Sequence, residues 1–360
     1  MGFAIVDLSR VAYNFNYILS KAKTAKIYAV VKSNAYGLGL VDVAKKLDSV
    51  GAEGFIVADL PEAIKLREGG IKKPIVILGY THPKQMEKII VHDLIQSVYN
   101  IDYLFLLKCA AKKLSKSVKV WIKTNAGFNR LGILSHSFAE LKSALRFNNI
   151  IVKGVFAHLS DSAETSMYTK KNNKKQIKNF EKLLASKTLE NNDFEKKIEI
   201  SLFNSGGIIK EHCLYDIIRA GAALYGIGSV EEVKPVLSVY ASVMQVHRLN
   251  KGECVGYNGA FVAKKDCKIA VLDIGYADGL SRILSKKAKV FLNGGYAKII
   301  GNICMNHCFI KLNKNQWAKM GDKAEILGEH IGVKKMAQLS KTIDYEIYCR
   351  FNNIPKSYIN

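Results

Sequence analysis

The chain has 360 residues and a mass of 40.0 kDa; 49% of its residues are hydrophobic and 24% are charged. A mean hydropathy of +0.03 is that of an ordinary globular protein and excludes a disordered or fibrous chain. The 54 basic residues against 31 acidic ones give a net charge of +23. The lysines are spread along the chain, however, and the densest tract, Lys170 to Lys175, reads as a solvated loop and helix start. No zinc finger, RNA-recognition signature or basic zipper accompanies it, so nucleic acid is not an expected partner. Seven cysteines, an odd number without regular spacing, suit a reduced, cytoplasmic protein. Residues 1–20 contain Asp7 and Arg10 in place of a signal pattern. No apolar run reaches the roughly 18 residues of a membrane span.

Short β-branched runs alternate with helical patterns through the first 228 residues. Strands are expected at 27–31, 54–57, 75–78, 94–98, 119–123, 152–157, 198–202 and 217–219. Helix-like stretches lie between them, among them 60–68, which stops at Gly69-Gly70, and 180–189. Eight such alternations predict a parallel (β/α)8 TIM-type barrel, with a six-stranded open sheet as the lesser alternative. The first strand, residues 1–8, belongs either to the barrel or to the C-terminal region. From about 229 onward the pattern changes. Strand-like runs at 238–246, 268–272, 289–292, 298–300, 308–311 and 324–327 are separated by Gly, Asn and Asp turns. Residues 229–360 are therefore expected to form a mostly β C-terminal domain.

In a parallel barrel, chemistry sits at the carboxyl ends of the strands. The first barrel strand runs straight into Lys32, then Ser33-Asn34-Ala35-Tyr36-Gly37-Leu38-Gly39. An ammonium at the end of an apolar strand is costly unless paired or neutralised. A carbonyl cofactor would resolve that cost by forming a Schiff base with the neutral amine. Taken alone, the same lysine also reads as one that snorkels to solvent.

The stretch from Ala29 to Gly39 resembles the pyridoxal-phosphate attachment motif of alanine racemases, which are fold-type III pyridoxal-phosphate enzymes. The resemblance continues in order through Lys123–Gly132, Ala157-His158, Asn204-Ser205 and Arg219–Gly226. In the second region it adds Gly256-Tyr257, Ile274–Gly279 and Gly301–Asn306. It implies interconversion of L- and D-alanine by two bases, Lys32 and Tyr257, supplying D-alanine for peptidoglycan. It further implies pyridoxal 5'-phosphate as cofactor, an amino-acid substrate, and a homodimer in which the β domain completes the partner's site. Tyr36, Ser205, Gly221 and Ala222 would hold the phosphate. Arg219 would face the pyridine nitrogen, and His158 would link Arg219 to the tyrosine base. Arg130 would receive the substrate carboxylate, with Tyr276 and Met305 reaching over from the second subunit. Lys123 matches a lysine that is carbamylated in many members, a change that would turn a cation into an anion beside Arg130.

The chain departs from that pattern in three places. Asn125-Ala126-Gly127-Phe128 replaces the usual Asp-Thr-Gly-Met, and Asn306 replaces an aspartate. The tail from Cys349 to Pro355 lacks the usual tyrosine and arginine before the proline and is one residue short, which predicts a phosphate anchor one hydroxyl short. Phe128 and Asn306 leave open a racemase acting on serine or a broader range of amino acids. A fold-type III decarboxylase is disfavoured by Arg219 and Tyr257, and a single-barrel pyridoxal-phosphate carrier by residues 229–360. Cys304, His307 and Cys308 lack a second ligand pair at zinc spacing, so no metal is expected.

Overall fold

The computed structural model describes residues 2–145, 149–161, 166–185, 198–204, 207, 215–228 and 230–360. The chain opens with strand β1 (Phe3–Asp7) and helix α1 (Leu8–Lys21), whose first turn is capped by the Asp7 carboxylate accepting from Arg10 N at 2.9 Å. There follow β2 (Lys26–Val30), α2 (Leu40–Ser49), β3 (Gly54–Val57), α3 (Leu60–Glu68), β4 (Ile75–Ile77) and α4 (Met86–Val91). Next come β5 (Ile95–Val98), α5 (Ile101–Lys113), β6 (Val118–Lys123), α6 (Phe138–Ala144), β7 (Ile150–Phe156), α7 (Met167–Ala185), β8 (Glu199–Ser201) and β9 (Ile217–Ala220).

Strands β2 to β9 form one parallel sheet in the order β8-β7-β6-β5-β4-β3-β2-β9. Strands β3, β4, β5 and β9 are buried at every position, as expected of strands covered on both faces. The ring is joined between β8 and β9 just beyond β8, where Arg219 N donates to Phe203 O at 3.1 Å. The expected barrel is thus present, and the open-sheet alternative is not. The Lys170–Lys175 tract is a correction. It lies in the body of α7, which begins at Met167, with its lysines on the exposed side and Asn173 and Gln176 buried.

The second region contains β10 (Leu237–Leu249), β11 (Cys254–Val255), β12 (Phe261–Val262), β13 (Cys267–Leu272), β14 (Lys289–Leu292), β15 (Gly295–Ile300), β16 (Cys308–Lys311) and β17 (Lys323–Leu327). It ends with helices α8 (Val333–Ser340) and α9 (Asp344–Arg350) and strand β18 (Lys356–Ile359). Its eight-stranded sheet runs β13-β16-β15-β14-β17-β10-β1-β18, so the first strand of the chain lies here, antiparallel to β10 and parallel to β18. The 13-residue β10 bends at bulges near Val239 and Val243 and pairs with β13 along its second half. Helices α8 and α9 were not expected from the sequence. Helix α9 places the chain's tail against the barrel mouth, where Asn352 Oδ1 accepts from Asn34 Nδ2 at 2.8 Å.

Candidate active site

The carboxyl ends of the barrel strands surround a cavity of about 910 Å³. Lys32 follows β2, Lys123 ends β6, His158 follows β7, and Arg219 and Gly221 come from the end of β9; all five line the cavity, as do Tyr36, Arg130 and Ala222. Strand ends converge there because every barrel strand points the same way.

Local backbone geometry explains how Lys32 and Tyr36 share one wall. Ser33, Asn34, Ala35 and Tyr36 all have φ between 52° and 58°, a full left-handed turn without glycine. Each such residue costs roughly 1–2 kcal/mol, so the turn must be held from outside. The Glu62 carboxylate accepts from Asn34 N (2.7 Å) and Ala58 N (3.0 Å), and Asn34 Oδ1 accepts from Leu40 N at 2.7 Å. Gly39 (φ 110°) closes the turn, and a Cβ there would lie 1.9 Å from the Tyr358 hydroxyl.

Electrostatically the cavity is lopsided. Lys32, Lys123, Arg130 and Arg219 are gathered in it, and among the described residues none of the four is in an ion pair. Burial, and then Arg130, pull the Lys32 amine below its ordinary value. Burial, with Arg130, Arg219 and Lys32 behind it, brings Lys123 down to about 8. His158 is pushed down to about 3, first by burial and then by Arg219, and is a neutral imidazole at neutral pH. Arg219 is itself lowered by burial. Its Nη2 donates to Ala157 O (2.7 Å) and Leu202 O (3.0 Å), its Nη1 to Ser201 Oγ (2.5 Å), and Nη2 also faces His158 Nδ1 at 3.4 Å.

A site with this donor set fits an anionic carbonyl compound. A depressed lysine amine can form a Schiff base, unneutralised cations await phosphate and carboxylate oxygens, and the backbone at Gly221 comes close to a hydroxyl. A Cβ on Gly221 would stand 2.8 Å from Tyr36 Oη, so only glycine lets the two approach.

Of the residues expected at the site, Lys32, Tyr36, Lys123, Arg130, His158, Arg219, Gly221 and Ala222 are brought together. Ser205 lies outside the described residues. Tyr257, Tyr276 and Met305 do not line this chain's own cavity. They are 70%, 44% and 57% exposed and are linked through the 301–307 loop, where Asn302 Nδ2 donates to Tyr257 O (3.3 Å) and Tyr276 N to Cys304 O (3.0 Å).

Helix α9 brings Tyr345 to the cavity, its ring 6.2 Å from that of Tyr36 and its hydroxyl beside Gly228. Cys349, from the same helix, also lines the cavity. Neither was singled out in the sequence, because a seven-residue helix leaves almost no periodic signal and its place at the barrel mouth is set by tertiary packing.

Family models for the alanine racemase N-terminal and C-terminal domains match residues 6–229 and 236–358. A relative named alanine racemase 1, from Clostridium acetobutylicum, is 36% identical over 99% of this chain and 95% of its own length. The chain belongs to the alanine racemase family. It is accordingly an isomerase, an amino-acid racemase. The structure of an alanine racemase from Clostridium difficile 630 superposes with a TM-score of 0.92 at 28% identity, covering 99% of this chain and 95% of that one. A Bartonella henselae alanine racemase with covalently bound pyridoxal phosphate gives a TM-score of 0.88 at 27% identity, over 99% of both chains.

Proposed function

We propose that the chain interconverts L- and D-alanine with pyridoxal 5'-phosphate bound through Lys32. The observation that carries this reading is the group of unpaired cations around a depressed lysine amine at the barrel mouth, in a chain that matches the family over nearly its whole length. Tyr36, Tyr345 and the backbone at Gly221 and Ala222 would hold the phosphate. Arg219 would stand at the pyridine nitrogen, where a buried guanidinium with several acceptors already engaged keeps its own proton. Pyridoxal phosphate, when bound, supplies the carbonyl for the substrate amine and a ring that spreads the charge left at Cα when its proton departs.

The remaining work falls to side chains. Arg130 would take the substrate carboxylate and fix which bond at Cα is presented. Lys32 Nζ would take or return the α-proton on one face. Tyr257 of the partner subunit would serve the opposite face, and a phenol oxygen that acts as a base is helped by a hydrogen-bond donor beside it. His158 is suited to be that donor. Arg219 Nη2 faces Nδ1 and cannot accept from it, which favours the tautomer with the proton on Nε2. Lys123, as a carbamate, would neutralise part of the cation cluster and orient Arg130. The amine lowered to about 8 favours that modification, because only a neutral amine adds carbon dioxide.

We place the reaction in the cytoplasm, upstream of peptidoglycan assembly. The six described cysteines are free, and among the described residues no helix is long and apolar enough to cross a membrane. The test is direct. Purified protein with the cofactor, given L-alanine, should form D-alanine and approach a racemic mixture from either enantiomer. Faster turnover of serine or another amino acid would move the assignment to the broader racemase, and no D-product from any amino acid would overturn it.

A further inference from the structure

Phe128 stands between two of the cavity's functional groups. The guanidinium carbon of Arg130 lies 4.4 Å from the Phe128 ring centroid, and the His158 ring meets the same side chain at 5.5 Å with an interplanar angle of 64°. Arg130 is exposed, and among the described residues its side chain makes no hydrogen bond and no ion pair, so the aromatic face is what defines its position. The loop that carries Phe128 is itself pinned. Asn125 Oδ1 accepts from Gly127 N (3.0 Å) and Asn129 N (3.1 Å), and Asn125 Nδ2 donates to Asn129 Oδ1 at 3.1 Å. At its neck Asn125 N donates to Ile133 O (3.0 Å) and Ile133 N to Lys123 O (2.9 Å). An aromatic ring on a fixed loop offers a guanidinium a flat, electron-rich ledge, and it offers an imidazole an edge-to-face neighbour. A methionine or leucine of similar bulk offers neither surface.

We propose that Phe128 is a positioning residue that sets the Arg130 guanidinium and the His158 ring relative to one another. This rests on the reading of Arg130 as the group that receives the substrate carboxylate. The sequence marks Phe128 as a departure from the family's usual methionine, and the structure gives that departure a use: the cation–π contact holds an arginine whose neighbouring loop carries Asn125 instead of an aspartate.

The experiment compares Phe128→Leu, Phe128→Tyr, Arg130→Ala and the Phe128→Leu/Arg130→Ala double variant. The KM and kcat for L-alanine are measured, along with the calorimetric affinity of the holoenzyme for propionate, a carboxylate probe that lacks the amine. Phe128→Leu should raise both the KM and the propionate dissociation constant by about two- to fivefold, with a smaller effect on kcat. Phe128→Tyr, which keeps the ring, should match wild type and shows that the loop tolerates substitution. In the Arg130→Ala background the Leu change should have no further effect on propionate, because the partner it positions is gone. Equal behaviour of the Leu and Tyr variants, or additive effects in the double variant, would overturn the role of Phe128. Unchanged propionate affinity in Arg130→Ala would overturn the carboxylate reading itself and this proposal with it.

Discussion

Arg219 and His158, on the ends of the two strands that flank β8, face each other with Nη2 and Nδ1 3.4 Å apart, and the same guanidinium nitrogen is bonded to Ala157 O and Leu202 O. The arginine therefore joins the ends of β7, β8 and β9 and stands against the imidazole. A guanidinium cannot accept a hydrogen bond, so the favoured tautomer turns a bare Nδ1 to it and keeps the proton on Nε2.

That pairing has a consequence for stability. His158 is held down at about 3 in the folded chain against an ordinary value of 6.5. Between those values the unfolded chain binds the extra proton and the folded one does not. Stability is then fully present above 6.5 and falls as the pH drops toward 3. From pH 6.5 to 5.0 the loss from this residue is about 2 kcal/mol. Urea midpoints at the two pH values should show this drop in wild type and a much smaller one in His158→Gln. Parallel drops in the two proteins would mean that the histidine is not a buried neutral group.

Two lysines in one cavity compete for the carbonyl role, since both amines are depressed by burial and by neighbouring cations. Lys32 is favoured because the left-handed turn after it carries the Tyr36 hydroxyl to the Gly221 backbone, next to the same wall. Protein purified with pyridoxal phosphate should be yellow, and Lys32→Ala should be colourless and at least about a thousandfold less active. Peptide mapping after borohydride reduction should find the label on Lys32. A label on Lys123 would exchange the roles of the two residues.

Much of this arrangement was legible in the sequence. All eight barrel strands fall close to where β-branched runs placed them, because a strand covered on both faces is built mostly of apolar residues. Lys32, Lys123, His158 and Arg219 could be located because they interrupt or end such runs. What could not be read was geometry created by the rest of the fold. The left-handed turn at Ser33–Tyr36 is tied locally only by bonds such as Leu40 N to Asn34 Oδ1; the Glu62 carboxylate, 26 residues beyond Tyr36 in the chain, also holds it. Tyr345 is at the cavity because α9 packs on the barrel mouth, which no spacing within residues 344–350 announces.

Carbamylation of Lys123 can be checked without activity. With the amine titrating near 8, roughly a tenth of it is neutral at pH 7 and most of it at pH 9, so carbon dioxide uptake should rise across that interval. In ¹³C-bicarbonate the protein should show a carbamate resonance that grows with pH and is missing from Lys123→Ala. A resonance that survives the substitution would assign the modification to another amine. No resonance at any pH would leave Lys123 a plain cation, and Arg130 would then be held by Phe128 without it.

The exposed trio Tyr257, Tyr276 and Met305 bears on assembly. Large side chains this open, gathered around one loop and away from their own chain's cavity, suit a surface that is covered by a second copy. If that copy presents its barrel mouth, each site draws Lys32 from one chain and Tyr257 from the other. Lys32→Ala and Tyr257→Phe should then each be nearly inactive, since each removes one of two required bases. Mixed by co-refolding, they should form dimers in which one site carries both defects and the other carries neither. Random pairing makes about half the dimers mixed, each with one sound site of two, so about a quarter of wild-type activity should return. Were both bases supplied by the same chain, every site in every dimer would keep a defect and mixing would restore nothing. Mixed dimers verified by mass but without activity would defeat the shared site, whereas the recovered quarter can arise only if the two bases meet across the interface.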